Sequence, residues 1–169
     1  MDATIPSGLD PAGGADRRRL TAVVYADLAG YSRLIGEDDA GTVHAHGRTP
    51  NRPHRPSHLP PSGRLVHTGG DSLLVLFDSI LDAMRFSIEV QRAIPSFDGD
   101  HAPERRLRFR MGVNVGDVIS EGTNMHGEGI NIAARLQTVC PIGAICVSRI
   151  VREQVGNRLG LPFKELRLR

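Results

Sequence analysis

The chain has 169 residues, 21 Lys and Arg against 19 Asp and Glu, a net charge of +2, and only seven aromatic residues, none of them Trp. That length suits one domain with enough chain to bury a core. The near balance of charge gives no strong case for nucleic acid or an anionic membrane surface, and the scarcity of aromatics argues against a base-stacking platform.

Residues 1–19 are rich in Gly, Pro and Asp and end in Arg17-Arg18-Arg19, which reads as a disordered tail before a domain spanning 20–169. LTAVVYADLAG (20–30) is a short, mostly apolar strand that ends near Asp27 and leads into a Gly-containing turn. YSRLIGEDDAGT can form a short helix. GRLVHTGGDSLLVLF (63–77) reads as two strands joined at Gly69-Gly70-Asp71. DSILDAMRFSIEVQRAI (78–94) is a helix that Asp78 or Ser79 can cap, with Leu81, Met84, Ile88 and Gln91 at helical spacing. RLRFRMGVNVGDVI (106–119) alternates between apolar Leu107, Phe109, Met111, Val113 and Val115 and a face of Arg108, Arg110, Gly112 and Asn114. A turn is expected at Gly116-Asp117, followed by a second strand. GEGINIAARLQTVC is a helix with Ile130, Ala133, Ala134 and Leu136 inward, AICVS a buried strand, RIVREQVG a short helix, and FKELRLR the start of one more strand. This order is an α+β, split βαβ plan: a mostly antiparallel sheet with helices on one face.

Cys140 and Cys146 match no common zinc or thiol-redox spacing. They read as buried reduced thiols, in keeping with a cytoplasmic location. No apolar leader and no run approaching about 18 apolar residues is present, so neither a secretory signal nor a membrane span is expected.

Residues 43–62, VHAHGRTPNRPHRPSHLPPS, stand apart. They hold five of the eleven prolines and four of the seven histidines, with no Asp or Glu. His44, His46, His54 and His58 on a flexible loop suit adventitious Ni²⁺ or Zn²⁺ capture more than a built metal site.

Two carboxylates fall where chemistry is expected. Asp27 ends the first strand and Asp71 sits at the hairpin tip, so neighbouring strands bring both to one sheet edge. Paired carboxylates suit Mg²⁺ or Mn²⁺, which prefer oxygen ligands and keep waters for substrate phosphates. Backbone N–H groups at the turn after Asp27 can hold phosphate oxygens. Asn131 and Arg135, four apart on a helix, offer an amide and a guanidinium on one face, a pairing that can address a ribose and a phosphate. Taken singly, each has a plainer reading: Asp27 as a strand terminator, Asp71 as a turn former, Asn131 and Arg135 as a solvated helix face.

Together VVYADLAGYSRLIGEDDAGT, GRLVHTGGDSLLVLF, FRMGVNVGDVI and HGEGINIAARL resemble the catalytic domain of class III nucleotidyl cyclases, over residues 18–42 and 63–166. The resemblance implies a palm-type, ferredoxin-like βαββαβ fold working as a head-to-tail homodimer that converts ATP to 3′,5′-cyclic AMP and pyrophosphate. Asp27 and Asp71 of one chain would hold two metal ions per site, Mg²⁺ or Mn²⁺. The backbone of Leu28, Ala29, Gly30 and Tyr31 would bind the triphosphate. Asn131 and Arg135 of the second chain would orient the ribose and stabilise charge on the α-phosphoryl group.

The sequence also departs from that pattern. His67 and Asn124 stand at the two base-reading positions in place of the family's Lys and Asp, and neither matches the usual guanine-reading pair. GTP therefore stays open beside ATP. The chain stops at Arg169, before the hairpin that carries the family's phosphate-binding lysine. Lys164, the only lysine, lies too early to replace it. Residues 43–62 occupy the place of an amphipathic helix, which prolines forbid at roughly 3 kcal/mol each, so the first helix is expected to be disrupted. Length kept and composition changed point to a local frame shift restored by Gly63. A reading frame of codons 43–62 that encodes an amphipathic helix is the expected finding, and its absence rejects the idea. These departures support a second reading, a degenerate cyclase domain that dimerises or regulates without turnover. A diguanylate cyclase, hinted at by Gly69-Gly70-Asp71, would leave the Asn131–Arg135 helix unexplained.

Overall fold

A computed structural model describes residues 17–29, 59–69, 71–98 and 108–166. The expected short helix after Tyr31, the histidines of the proline-rich stretch, and Gly30 and Tyr31, expected in the phosphate-binding backbone, lie outside these residues. Among the described residues the elements run β1 (Arg17–Ala29), β2 (Gly63–Gly69), β3 (Ser72–Phe77), α1 (Ile80–Asp98), β4 (Arg108–Glu121), β5 (Asn124–His126), α2 (Glu128–Val139), β6 (Ile145–Val147) and α3 (Arg149–Leu159). One sheet forms in the order β2-β3-β1-β4-β5, with β6 also beside β4. Every pairing is antiparallel except β4 with β6. The α+β assignment therefore stands.

β1 is the central strand because its sequence suits burial on both faces. Ala22, Val23, Val24 and Ala26 are all buried, and the β-branched pair packs well on a pleated surface. Alternation then sends Ala22, Val24 and Ala26 to one core, and Val23 and Tyr25 to the other. The larger core takes Leu73, Val75 and Phe77 of β3, Met111 and Val113 of β4, Ala83, Met84 and Phe86 of α1, and Val151 and Val155 of α3. Phe77 and Phe86 stack at 5.3 Å between ring centres with 49° between planes, a pairing worth about 0.5–1.5 kcal/mol beyond area burial. α1 starts where the sequence placed a cap: the Asp82 N–H donates to Ser79 Oγ at 3.3 Å. From the expected helical face, Gln91 Nε2 donates to the carbonyls of Phe109 (2.9 Å) and Ala144 (3.2 Å), tying α1 to the approach of β6.

The expectation of helices on one face describes α1 and α3, while α2 takes the opposite face. The reason lies in alternate residues of β4. Gly112, Asn114 and Gly116 face α2, so its backbone settles directly on the strand. A Cβ at Gly116 would come within 2.7 Å of the Gly129 Cα. Buried Asn114 donates from Nδ2 to the Gly129 carbonyl at 3.1 Å. Ile130, Ala133 and Gln137 are the inward side chains.

Three boundaries differ from the sequence reading. β4 does not turn at Gly116-Asp117. It continues to Glu121 because thirteen register pairs with β1, from Ala29↔Arg108 to Arg17↔Ser120, hold it straight. The same ladder draws Arg17, Arg18 and Arg19 out of the expected tail and into β1. The turn falls instead at Gly122, where φ is 60°, a left-handed conformation that glycine adopts without penalty. Residues 163–166 form no strand.

The last part of the proline-rich stretch is anchored. Leu59, one of its two large aliphatics, packs on the larger core. The Gly63 N–H donates to the Pro60 carbonyl at 2.8 Å, and the Asp78 N–H to the Ser62 carbonyl at 3.1 Å.

Cys140 caps the end of α2, and Cys146 pairs in register with Gly112, on the α2 side of the sheet. Both thiols are free. Burial, with Cys140 beside it, pushes the Cys146 thiol up from an ordinary 9.0 to about 12, so it stays protonated and unreactive at neutral pH. No helix among the described residues is long and apolar enough to cross a membrane.

Candidate active site

Asp27 lies near the end of β1, opposite Ser72 of β3 on one side and Arg110 of β4 on the other. Asp71 occupies the β2–β3 hairpin tip, where its carbonyl accepts the Leu28 N–H at 2.9 Å. The two aspartates are thus one register step apart on neighbouring strands of the sheet, as the hairpin signal implied. The alternation that puts Val23 and Tyr25 on the α2 face puts Asp27 there too. Its carboxylate is only 19% exposed and accepts a charge-assisted hydrogen bond from Arg110 Nη2, which reaches Oδ2 at 2.6 Å.

The remaining expected residues do not all gather here: Asn124 pairs with Glu121, at the end of β4 far from the Asp27–Arg110 pair. Leu28 and Ala29 are half-buried at the end of β1. His67 stands in β2, paired in register with Leu74 just past an irregularity between Leu65 and His67. Asn124 opens β5 and is exposed. Asn131 and Arg135 lie on α2, exposed and on the helix side turned away from Ile130, Ala133 and Gln137. Among the described residues neither side chain makes a hydrogen bond or ion pair. One chain therefore brings Asp27 and Asp71 together but turns Asn131 and Arg135 outward. Lys164 is exposed beyond α3.

Arg110 is the residue that sequence reasoning passed over. It was legible as the polar side of an alternating strand. What singles it out is the β1–β4 register, which sets it across from Asp27.

Among the described residues no cluster of three or more His, Cys, Asp or Glu forms a metal-binding group. The Asp27–Asp71 pair nevertheless fits Mg²⁺ or Mn²⁺. Both are hard oxygen donors at the same end of neighbouring strands, and Arg110 engages only Oδ2 of Asp27, leaving Oδ1 for a cation that keeps several waters.

Comparison with known proteins bears on the family and the fold. No protein-family model matches the chain. A Rhizobium meliloti protein named as an adenylate cyclase is 33% identical over 150 residues, 87% of this chain and 25% of that protein. A Streptomyces coelicolor adenylate cyclase is 27% identical over 151 residues, 88% of this chain and 37% of its own length. The chain thus spans about a quarter to somewhat over a third of these relatives. Among solved structures, an adenylate/guanylate cyclase/hydrolase from Silicibacter pomeroyi superposes with a TM-score of 0.70 at 34% identity, covering 89% of this chain and 87% of that one. The adenylyl cyclase CyaB from P. aeruginosa shares the fold at 20% identity, with a TM-score of 0.56 over 85% of this chain and 84% of that one. On this likeness in sequence and in fold, the chain belongs to the class III adenylate/guanylate cyclase family.

Proposed function

We propose that this chain is a nucleotidyl cyclase catalytic domain that converts ATP to 3′,5′-cyclic AMP and pyrophosphate, with its active site shared between two copies. The observation that carries this reading is that Asp27 and Asp71 lie at the same end of neighbouring strands, beside the Leu28–Asp71 backbone hydrogen bond, while Asn131 and Arg135 face outward from α2. A second copy is the natural source of the missing half.

Asp27 and Asp71 would hold the divalent cations, which when bound lower the pKa of the ribose 3′-hydroxyl and offset triphosphate charge. The backbone from Leu28 to Tyr31 would hold the triphosphate by N–H donation. Asn131 of the second copy would orient the ribose. The 3′-hydroxyl gives up its proton to solvent as its oxygen attacks the α-phosphorus, the bond to the bridging oxygen of the β-phosphate breaks, and pyrophosphate leaves. Arg135 of the second copy would stabilise the negative charge that grows on the α-phosphoryl oxygens. His67 and Asn124 both donate and accept hydrogen bonds, so the site would take ATP with weak discrimination against GTP. Two free thiols, Cys140 buried and Cys146 half-buried, suit a reducing, cytoplasmic setting.

A dimerising or regulatory module without turnover is the second reading. It is favoured by the five prolines in the sequence of residues 43–62, a composition unsuited to the family's helix.

Incubating the chain with Mn²⁺ and either ATP or GTP is expected to yield the cyclic nucleotide, with no product from Asp71→Ala. Equal signal from the two proteins would reject the enzyme reading.

A further inference from the structure

We infer that Arg110 is a positioning residue that sets the cation affinity of the site. It neutralises Asp27 through one oxygen and competes with a bound metal ion for that carboxylate. This rests on Asp27 being a cation ligand, as proposed above.

The two side chains face each other across the β1–β4 ladder, the longest run of register pairs in the sheet. Neither can drift, because each is mounted on an interior strand with partners on both sides. Arg110 Nη2 reaches Asp27 Oδ2 at 2.6 Å, with the side chains 32% and 19% exposed. A carboxylate drawn that far out of water needs a compensating charge. Before a cation arrives, the guanidinium supplies it from the opposite strand.

The contact is single rather than forked. A guanidinium can grip both oxygens of a carboxylate in parallel. Here only Oδ2 is taken, so Oδ1 keeps its lone pairs for a cation. Arg110 Nε is buried and has no acceptor among the described residues. A buried donor without a partner is destabilising. The arginine is therefore not locked by a full set of acceptors of its own, and its orientation follows Asp27.

Two effects of this arrangement oppose one another. The hydrogen bond fixes the carboxylate, which favours cation binding. The fixed positive charge repels the incoming cation and occupies one oxygen. Asp has only two side-chain torsions and sits on an interior strand, so fixing it gains little. The charge acts at close range in a partly desolvated place, where Coulomb terms exceed their value in water. The second effect wins, and the arginine weakens cation binding.

The test is a Mn²⁺ titration of the full chain without nucleotide, following free Mn²⁺ by electron paramagnetic resonance. Removing the charge in Arg110→Met is expected to lower the Mn²⁺ Kd about fivefold, the scale of a partly exposed ion pair. Arg110→Gln, a polar substitution milder on folding, is expected to do the same. Arg110→Lys keeps the charge and should stay within twofold of the parent. In an Asp27→Asn background, Arg110→Gln should give no tightening. If Arg110→Gln has the parent's circular dichroism spectrum and binds Mn²⁺ equally or more weakly, the inference is overturned while Asp27 remains a ligand. If Asp27→Asn alone binds Mn²⁺ as well as the parent, the cation reading falls and this inference falls with it.

Discussion

Asp71→Ala and Arg135→Ala chains, each nearly inactive alone, are expected to recover cyclic-nucleotide formation when produced together. Removing a group that stabilises a developing charge typically costs about 10²–10³ in rate, and losing a cation ligand should cost at least as much. In a two-fold dimer each site would take Asp27 and Asp71 from one chain and Asn131 and Arg135 from the other. A mixed dimer then contains one site with both lesions and one with neither. Random pairing of equal amounts makes half the dimers mixed, so about a quarter of parental activity should return. Product formation that stays at the sum of the two parents would show that each site is built within one chain. The geometry favours sharing: α2 lies on the same sheet face as Asp27, yet its Asn131 and Arg135 point outward, away from the buried Ala133 and Gln137.

Gly112→Ala is expected to abolish stable folding or shift the urea midpoint by more than any surface change. A Cβ at Gly112 would overlap the Ala133 carbonyl oxygen and lie 2.6 Å from the Gln137 nitrogen. These are backbone atoms of α2 and cannot rotate aside, so the helix must lift from the sheet. Ordinary overpacking costs about 1–3 kcal/mol. With backbone as the obstacle and the smaller core opening beneath Ile130 and Ala133, the expected loss exceeds about 3 kcal/mol, a large part of a typical 5–15. Gly156→Ala in α3 is the control. A Cβ there meets nothing within 4 Å, and alanine favours a helix by up to about 1 kcal/mol. Equal urea midpoints for the two variants would reject this account of α2 docking.

How far the sequence was legible depends on whether the signal was local. β1, the β2–β3 hairpin and α1 follow from alternation, a Gly-Gly-Asp turn and a Ser cap, all of which act within a few residues. Asp27 and Asp71 were readable for the same reason, since strand end and hairpin tip are local features. The continuous β4 was not readable, because Gly116-Asp117 has turn composition and only the distant ladder with β1 overrides it. Arg17–Arg19 joined β1 by that same long-range pairing. The side of the sheet taken by α2 was hidden in the glycines. Gly112 and Gly116 show the lack of a side chain in sequence, but not which partner needs the space. Arg110 stayed hidden for a related reason. A strand pattern shows that a residue faces a side of the sheet, whereas its partner is set by register between segments more than eighty residues apart.

Both neighbours of β1 are strands, and the sheet edges belong to β2, β5 and β6. Fraying starts at edges, where fewer hydrogen bonds hold the chain. An opening of β5 or β6 uncovers the outer side of β4 and leaves Asp27 flanked by β3 and β4. The place of Asp27 therefore does not depend on an edge strand: it is held by the two interior ladders of β1.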